Sequence, residues 1–416
     1  MLASSIAAAP IAAPRRPFPQ HLAYAAGTIR PNHRTQSQQD DDVRAYYDHW
    51  KKNYLLDAGA LADGRKLYRV SIGKTNPGRT VSEGQGYGMI IEAVMAGHDP
   101  EAQSLFDGLW RFSRQYPSGR DPRLMGWQIP VGDDGNPSAF DGDCDIAFAL
   151  LLADAQWGSG GSIHYKNEAL TVIAGILAST IGPKSRLPML GDWIQADHPT
   201  HNEYTPRSSD FMPGHFRAFG KATGDPVWLE VVNASQSVIT SLQTNYSPDT
   251  GLLPDFIVPT SQSDKTPKPA PPGFLEKAVD GDYYYNAGRD PWRLGTDALL
   301  NADPQSMAQT RKITRWIRGA AAGAPTQIRS GYRLNGTPLP ESDYFTIFFA
   351  APFAVAAMTD STQQQWLNDL YDSVYAAHED YYEDSVALLS LLTMTGNMWS
   401  PQSPAAGRLK RRSVRR

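Results

Sequence analysis

Apolar residues recur at spacings of three and four in twelve segments of the chain. These begin near Asp40, Glu83, Glu101, Asp141, Ser162, Ser208, Pro226, Pro291, Pro304, Tyr344, Ser361 and Glu379. That period lines the apolar side chains of each segment along one stripe, so each predicts a helix with a buried face. Three boundaries carry the same signal: Gly97-His98-Asp99-Pro100, Gly224-Asp225-Pro226 and Ala302-Asp303-Pro304. In each, Asp accepts the unpaired N–H groups of a first turn and Pro fits inside that turn. Period-two alternation is scarce; Leu67 to Ile72 is the best strand and predicts one small hairpin. Twelve helices in consecutive pairs predict an all-α chain closed into an (α/α)6 barrel, a toroid with small β-hairpins in its loops. A helical solenoid would show a fixed sequence period, and none is found. The polar, proline-rich stretch 258–272 has the composition of a linker. A charged and aromatic cluster follows it at once, so it reads as a surface excursion of one catalytic domain spanning residues 21–400.

The 416 residues carry 39 Lys+Arg against 43 Asp+Glu, a net charge of −4. No broad basic field for nucleic acid results, and no run of about 18 apolar residues exists to span a membrane. Neither partner is expected, and the chain is expected to be a monomer. Cys144 is the sole cysteine, so no internal disulfide forms. Residues 1–20, rich in Ala and Pro, read as a leader or a signal remnant that lacks a basic start, and extracellular secretion is the expectation. Residues 401–416 read as a basic disordered tail. Aromatic residues make up 10% of the chain, including 10 Trp and 19 Tyr, and their placement carries the chemistry.

Three loop segments gather acids, glycines and aromatics where helical patterns begin. In the first, Ser82 to Met89, Glu83 sits among Gly84, Gly86 and Gly88. Either the backbone there approaches a ligand closely, or Ser82 and Glu83 cap the helix that follows; the local pattern leaves both open. The second, Ser138 to Ala147, holds Asp141, Asp143 and Asp145. It is not an EF-hand loop, because its sixth and twelfth positions are Ile146 and Leu152 instead of Gly and Glu. Asp141 and Asp145 fall one helical turn apart on one face, and three acids at one helix start need hydrogen bonds or a function. The third, Phe274 to Arg293, sets Glu276, Asp280, Asp282 and Asp290 beside Tyr283, Tyr284, Tyr285, Trp292 and two arginines. Three consecutive tyrosines cannot all face one core, so some point to a groove. Rings that stack on a pyranose face, with carboxylates for its hydroxyls, suit a sugar chain. Two carboxyls on different loops also meet the demand of glycoside hydrolysis for a proton donor and a base or nucleophile.

Ser82 to Met89, the Asp141-Gly142-Asp143 helix ending in Ala153-Asp154-Ala155-Gln156-Trp157, and Asn286 to Arg293 together resemble glycoside hydrolase family 8 over about residues 20 to 400. The resemblance implies an (α/α)6 barrel and inverting hydrolysis of β-1,4-linked glycans. It implies Glu83 as general acid and Asp141 as the residue that binds and distorts the sugar. Cellulase-type members carry an Asp base where this chain has Asn286. The branch with bacillary chitosanases, lichenases and endoglucanases also carries Asn there, with a Glu ten residues earlier after Phe-Leu. Phe274-Leu275-Glu276 fits, which implies Glu276 as base. Phe140 departs from the small hydroxyl residue usual before the aspartate and is expected to alter the neighbouring subsite.

Asp143, Asn286 and Arg289 are expected to support Asp141, with Trp127, Trp193 and Tyr285 as stacking platforms. Trp110, Trp157, Trp228, Trp316 and Trp366 read as core. Chitosan is the favoured substrate, because Asp192, Glu203, Asp280, Asp282 and Asp290 could line the cleft for a cationic chain. An endo-β-1,4-glucanase (cellulase or lichenase) is the alternative, and a non-catalytic glycan-binding toroid a distant third. No cofactor and no metal are expected: Pro199 breaks the spacing of His198 and His201, and the other histidines are scattered. Among three acids, the Cys144 thiol is expected to be inert.

Overall fold

A computed structural model describes residues 12–403. The remainder of the leader, 1–11, and of the basic tail, 404–416, lie outside the described residues. Residues 12–20 run over the barrel surface: the Ala12 N–H donates to Gln103 Oε1 (2.6 Å), the Arg15 N–H to the Gln156 carbonyl (2.9 Å), and Phe18 is buried.

Twelve α-helices follow in order: α1 Gln36–Tyr54, α2 Ser82–Met95, α3 Ala102–Ser113, α4 Phe140–Trp157, α5 Tyr165–Ser179, α6 Pro213–Thr223, α7 Val227–Asn245, α8 Asp290–Asn301, α9 Pro304–Ala320, α10 Ile347–Ala357, α11 Gln364–Tyr375 and α12 Tyr381–Met394. The even-numbered helices form an inner ring. Each packs on the next, and the ring closes where α12 meets α2. That closure makes a toroid and excludes an open solenoid. The odd-numbered helices lie outside, each against an inner neighbour. Composition sorts the two rings: every residue of α10, Ile-Phe-Phe-Ala-Ala-Pro-Phe-Ala-Val-Ala-Ala, is buried. A helix apolar all round has to be covered on all sides. By contrast, α1 buries Val43, Tyr46, Tyr47, Trp50 and Tyr54 at helical spacing and turns Asp41, Asp48 and Lys52 outward.

One of the three Asp-Pro boundaries acts as predicted, that of α9; at α3 and α7 the N-caps are Glu101 and Pro226, and the proline lies ahead of the first turn. Asp303 caps α9 by accepting from Ser306 N–H, while Asp99 and Asp225 accept from Glu101 and Val227 N–H. The strand prediction holds as β2 (Lys66–Val70), antiparallel to β1 (Leu55–Ala60) with Leu55 opposite Val70. Two further ribbons pair β3 (Thr80–Val81) with β4 (Gln128–Ile129), and β5 (Ile257–Pro259) with β6 (Pro267–Pro269). The excursion at 258–272 is therefore largely this last hairpin.

The glycines of the first cluster pack helices instead of approaching a ligand. A Cβ on Gly86 would stand 2.6 Å from Asp145 Cβ and 3.2 Å from the Gly142 carbonyl; one on Gly88 would strike Val70 Cγ2. Their absence lets α2 and α4 cross in close contact. Trp110, Trp157, Trp228 and Trp366 are buried as expected. Trp316 is a correction: it is half-buried at the core rim, edge-on to Tyr332 (5.0 Å, 89°).

Candidate active site

The inner helices run in one direction, so their N-terminal ends meet at one mouth of the barrel. Glu83 opens α2, Asp141 opens α4, Arg207 to Asp210 precede α6, Asn286 and Arg289 precede α8, and Tyr381 and Tyr382 open α12. Positive helix ends and unpaired N–H groups converge there, a setting that favours anionic side chains. Glu83, Asp141, Arg207, Asp255, Glu276, Lys277, Tyr284, Tyr285, Asn286, Arg289 and Tyr382 line the resulting cleft.

Arg289 is its hub. The guanidinium is buried; Nη1 donates to Glu83 Oε2 (2.5 Å) and Asp141 Oδ2 (2.7 Å), and Nη2 to Ser209 Oγ (2.8 Å) and Asn286 Oδ1 (3.3 Å). With its oxygen held by Arg289, the Asn286 amide turns Nδ2 toward Glu276 Oε2 (3.0 Å) and Asp255 Oδ2 (3.3 Å). Arg207 lies 3.4 Å from Asp141 and 3.5 Å from Glu276. Glu83 does not cap its helix, since Val81 is the N-cap and no side chain bonds there. Tyr381 Oη donates to its second oxygen at 3.3 Å.

The two carboxyls assigned to proton transfer sit in unlike surroundings. Glu83 is 15% exposed at the cleft floor, whereas Glu276 is 41% exposed on the wall. Burial and the negative charges of Asp141 and Asp145 push Glu83 up to about 7, outweighing Arg289. Asp141 goes the other way. Burial raises it, but Arg289 and Arg207 prevail and hold it at about 2, ionised throughout the working range. Glu276 rides a loop fastened by Asp280, whose buried carboxylate accepts from the N–H groups of Leu275, Glu276 and Lys277 (2.7, 3.0 and 2.8 Å).

Other expected site residues lie elsewhere. Asp143 is fully buried and accepts from Met125 N–H (2.8 Å); two residues on from Asp141, it faces away from the cleft. Trp127 lies under Arg79 and donates to Asp134 (2.8 Å). Trp193 packs on the cluster of Met189, Leu190 and Phe256. Neither tryptophan lines the cleft; of the three expected platforms only Tyr285 does, its ring backed by Phe348 (5.1 Å, 8°). Phe140 is buried against Phe216 and is not among the residues that line the cleft. Cys144 is buried, and burial raises its thiol pKa. His198 accepts from Thr200 and His201 N–H within its own turn. Asp145 is neutralised by Arg293 (2.6 and 2.8 Å), with His215 at 2.9 Å.

The acids expected to attract chitosan are spent on structure. Asp280 holds the base loop; Asp192 accepts from Ser138 N–H and Glu203 from Lys184 and Ser185 N–H; Asp290 is buried at the start of α8. None of these, nor Asp282, lines the cleft, while Arg207, Arg289 and Lys277 do. The acids that do line it, Glu83, Asp141, Asp255 and Glu276, are matched by Arg207, Arg289 and Lys277, so the expected surplus of acids for a cationic polymer is not found there. Residues absent from the sequence expectation also enter the site: Arg207, Asp255, Lys277, Tyr381 and Tyr382. The signal was present, since 204–210 and 379–384 are polar, aromatic-bearing segments directly before inner helices.

The model of the glycosyl hydrolases of family 8 matches residues 33–396. A beta-glucanase of Niallia circulans is 43% identical over 94% of this chain and 92% of its own length. An endoglucanase of Bacillus sp. (strain KSM-330) is 40% identical over 94% and 83%. The structure of a beta-1,3-1,4-glucanase from Paenibacillus sp. X4 superposes with a TM-score of 0.87 at 43% identity, covering 93% of this chain and all of that one.

Proposed function

The chain belongs to glycosyl hydrolase family 8, and from that premise we propose that it is an inverting endo-β-glucanase acting on mixed-linkage β-1,3-1,4-glucan and related β-1,4-glucans. It is a glycoside hydrolase acting on polysaccharide. The choice of β-glucan over chitosan is supported by relatives called beta-glucanase and endoglucanase, and by the structural use of the acids expected to attract chitosan, which hold loops and helix starts instead of lining the cleft. Secretion accords with a polymer substrate too large to enter a cell.

One observation carries the mechanism: a buried carboxyl held near 7 and a more exposed carboxylate share one cleft without touching. Arg289 bonds Glu83 and Asn286 bonds Glu276, so a two-residue bridge holds the carboxyls apart, as single displacement through a water requires. Glu83 gives its proton to the glycosidic oxygen as the C–O bond breaks. Glu276 takes a proton from the water whose oxygen bonds to the anomeric carbon on the opposite face. Asp141, kept anionic, holds sugar hydroxyls and the positive charge developing on the ring. Arg289 orients Glu83, Asp141 and Asn286 at once, and Tyr285 offers the wall on which a sugar ring stacks.

Reducing-sugar release from barley β-glucan, carboxymethyl cellulose and chitosan in parallel tests the substrate: the first two are cleaved and chitosan is not. Glu276→Gln is expected to lower kcat by about 10²–10⁴ with little change in KM, the range for loss of a general base. Proton NMR of the first product should show the α-anomer. A β-anomer, or normal turnover in Glu276→Gln, would remove the single-displacement assignment.

A further inference from the structure

The fold brings together two histidines that the sequence leaves far apart. On the rim outside the cleft, the rings of His49 (in α1) and His378 (in the loop before α12) stack at 3.7 Å and 12°. Beneath them lies Asp384 of α12, its carboxylate fully buried. Asp384 Oδ1 accepts from Glu379 N–H (2.8 Å) and Tyr46 Oη (3.2 Å), which fills its lone pairs. Oδ2 accepts from Tyr54 Oη (2.8 Å) and keeps one lone pair, which faces His49 Nε2 at 3.4 Å. Among the described residues no Lys or Arg pairs with Asp384. A buried carboxylate attended only by neutral donors carries a large desolvation cost unless a cation is supplied.

We propose that His49, His378 and Asp384 form a binding site for a divalent transition metal of the Zn²⁺ class, separate from the catalytic cleft. The geometry is suited to it. Two ligand atoms each about 2.1 Å from Zn²⁺ at the tetrahedral angle stand about 3.4 Å apart, the separation of His49 Nε2 and Asp384 Oδ2. All three ligand atoms lie within 4.8 Å of one another, and the exposed His378 ring turns out of its stack on His49 to aim its nitrogen at the same ion. Two imidazoles and one carboxylate select a borderline transition metal over Ca²⁺ or Mg²⁺, which take oxygen ligands. The hydroxyls of Tyr46 and Tyr54 and the Glu379 N–H supply the outer hydrogen bonds that fix a ligating carboxylate. The ion would fasten the C-terminal part of α1 to the first turn of α12, one turn after Tyr381, whose hydroxyl meets Glu83. Tyr54 also places its ring edge on Tyr381 (6.3 Å, 76°).

Chelator-treated full-length protein is titrated with ZnCl₂, CaCl₂ and MgCl₂ by calorimetry, with Tm followed in parallel. One equivalent of Zn²⁺ should bind and raise Tm, while Ca²⁺ and Mg²⁺ give no saturable heat. His378→Ala, at an exposed position, should weaken Zn²⁺ binding at least tenfold and abolish the Tm rise, and His49→Ala should do the same. A His198→Ala/His201→Ala double variant controls for the other histidine pair and should bind as the parent does. Absence of saturable Zn²⁺ binding, binding unchanged in His378→Ala, or binding lost only in the control variant overturns the proposal.

Discussion

At the scale of the residue, the chemistry rests on two carboxyls that one guanidinium touches and that titrate in opposite directions. Glu83 is raised to about 7 and Asp141 lowered to about 2, although both bond to Arg289 Nη1. The difference comes from Arg207, which adds a second cation to Asp141 only, and from Asp141 itself, whose charge keeps the proton on Glu83. Because hydrolysis needs Glu83 protonated, kcat/KM should fall as pH rises through about 7. Removing the Asp141 charge removes one of the forces that raise Glu83. Asp141→Asn should therefore shift that alkaline limb to lower pH, besides lowering kcat by roughly 10²-fold or more through lost electrostatic stabilisation. A pH–rate profile of the variant decides it; a limb that stays put or moves upward refutes the coupling. Glu83, Asp141, Glu276, Asn286 and Arg289 were legible in the sequence because they fall in the three acid-bearing segments that carry the family resemblance, Glu83 and Asp141 in the first turns of α2 and α4 and the others in the stretch leading into α8. Asp143 was misread: two residues along a helix turn a side chain by about 200°, away from the cleft. Arg207 and Tyr381 lie in polar, aromatic-bearing segments at helix starts, a signal that was present but unread, whereas Asp255 carried none, since only the closed ring brings it to Asn286.

At the scale of the element, the twelve periodic segments all became helices, with starts within a few residues of those expected. Apolar period reports burial directly, so helix number was readable. Which helices form the inner ring was only partly so: α10 declares itself by being apolar all round, but α6 does not. The glycine cluster shows how one local signal serves two readings. Gly86 lies mid-helix, where alanine would ordinarily stabilise by about 1 kcal/mol. Here the added Cβ would stand 2.6 Å from Asp145 Cβ and 3.2 Å from the Gly142 carbonyl. Neither is the far end of a flexible side chain, so α2 must move off α4. Overpacking of that kind costs about 1–3 kcal/mol, and it displaces Glu83 one turn away. Gly86→Ala should thus lower Tm and kcat together; a more stable variant would mean that the helices separate freely and the close crossing is incidental.

At the scale of the molecule, gathering six helix N-termini at one mouth concentrates buried acids there, and this sets how stability depends on pH. Burial pushes Glu83, Asp210 and Asp255 up to about 7, with arginines or backbone N–H groups opposing, and raises Asp290 as well. In the unfolded chain these groups titrate near 4. Between those values the folded protein holds protons that the unfolded chain has released, so stability falls as pH rises, by about 1.4 kcal/mol per unit for each group. Asp121 and Asp141, both depressed to about 2, act in the opposite sense. Their contribution is complete above about pH 4 and is lost only as pH falls through about 2. His215 and His378, lowered by burial, oppose the trend below about pH 6.5, as two groups against several. Tm should therefore climb from pH 3, peak near pH 4 and decline through about pH 7. Asp210 is the cleanest probe, because neither of its buried oxygens has a hydrogen-bond partner among the described residues. Asp210→Asn removes one raised carboxyl and should make the decline between about pH 4 and 7 shallower while leaving the acid side unchanged. Thermal denaturation of parent and variant across pH 3–9 measures both slopes. A parent Tm that is flat or rising to pH 8 would show that the folded mouth of the barrel does not hold its acids protonated, and would count against Glu83 as a proton donor at neutral pH.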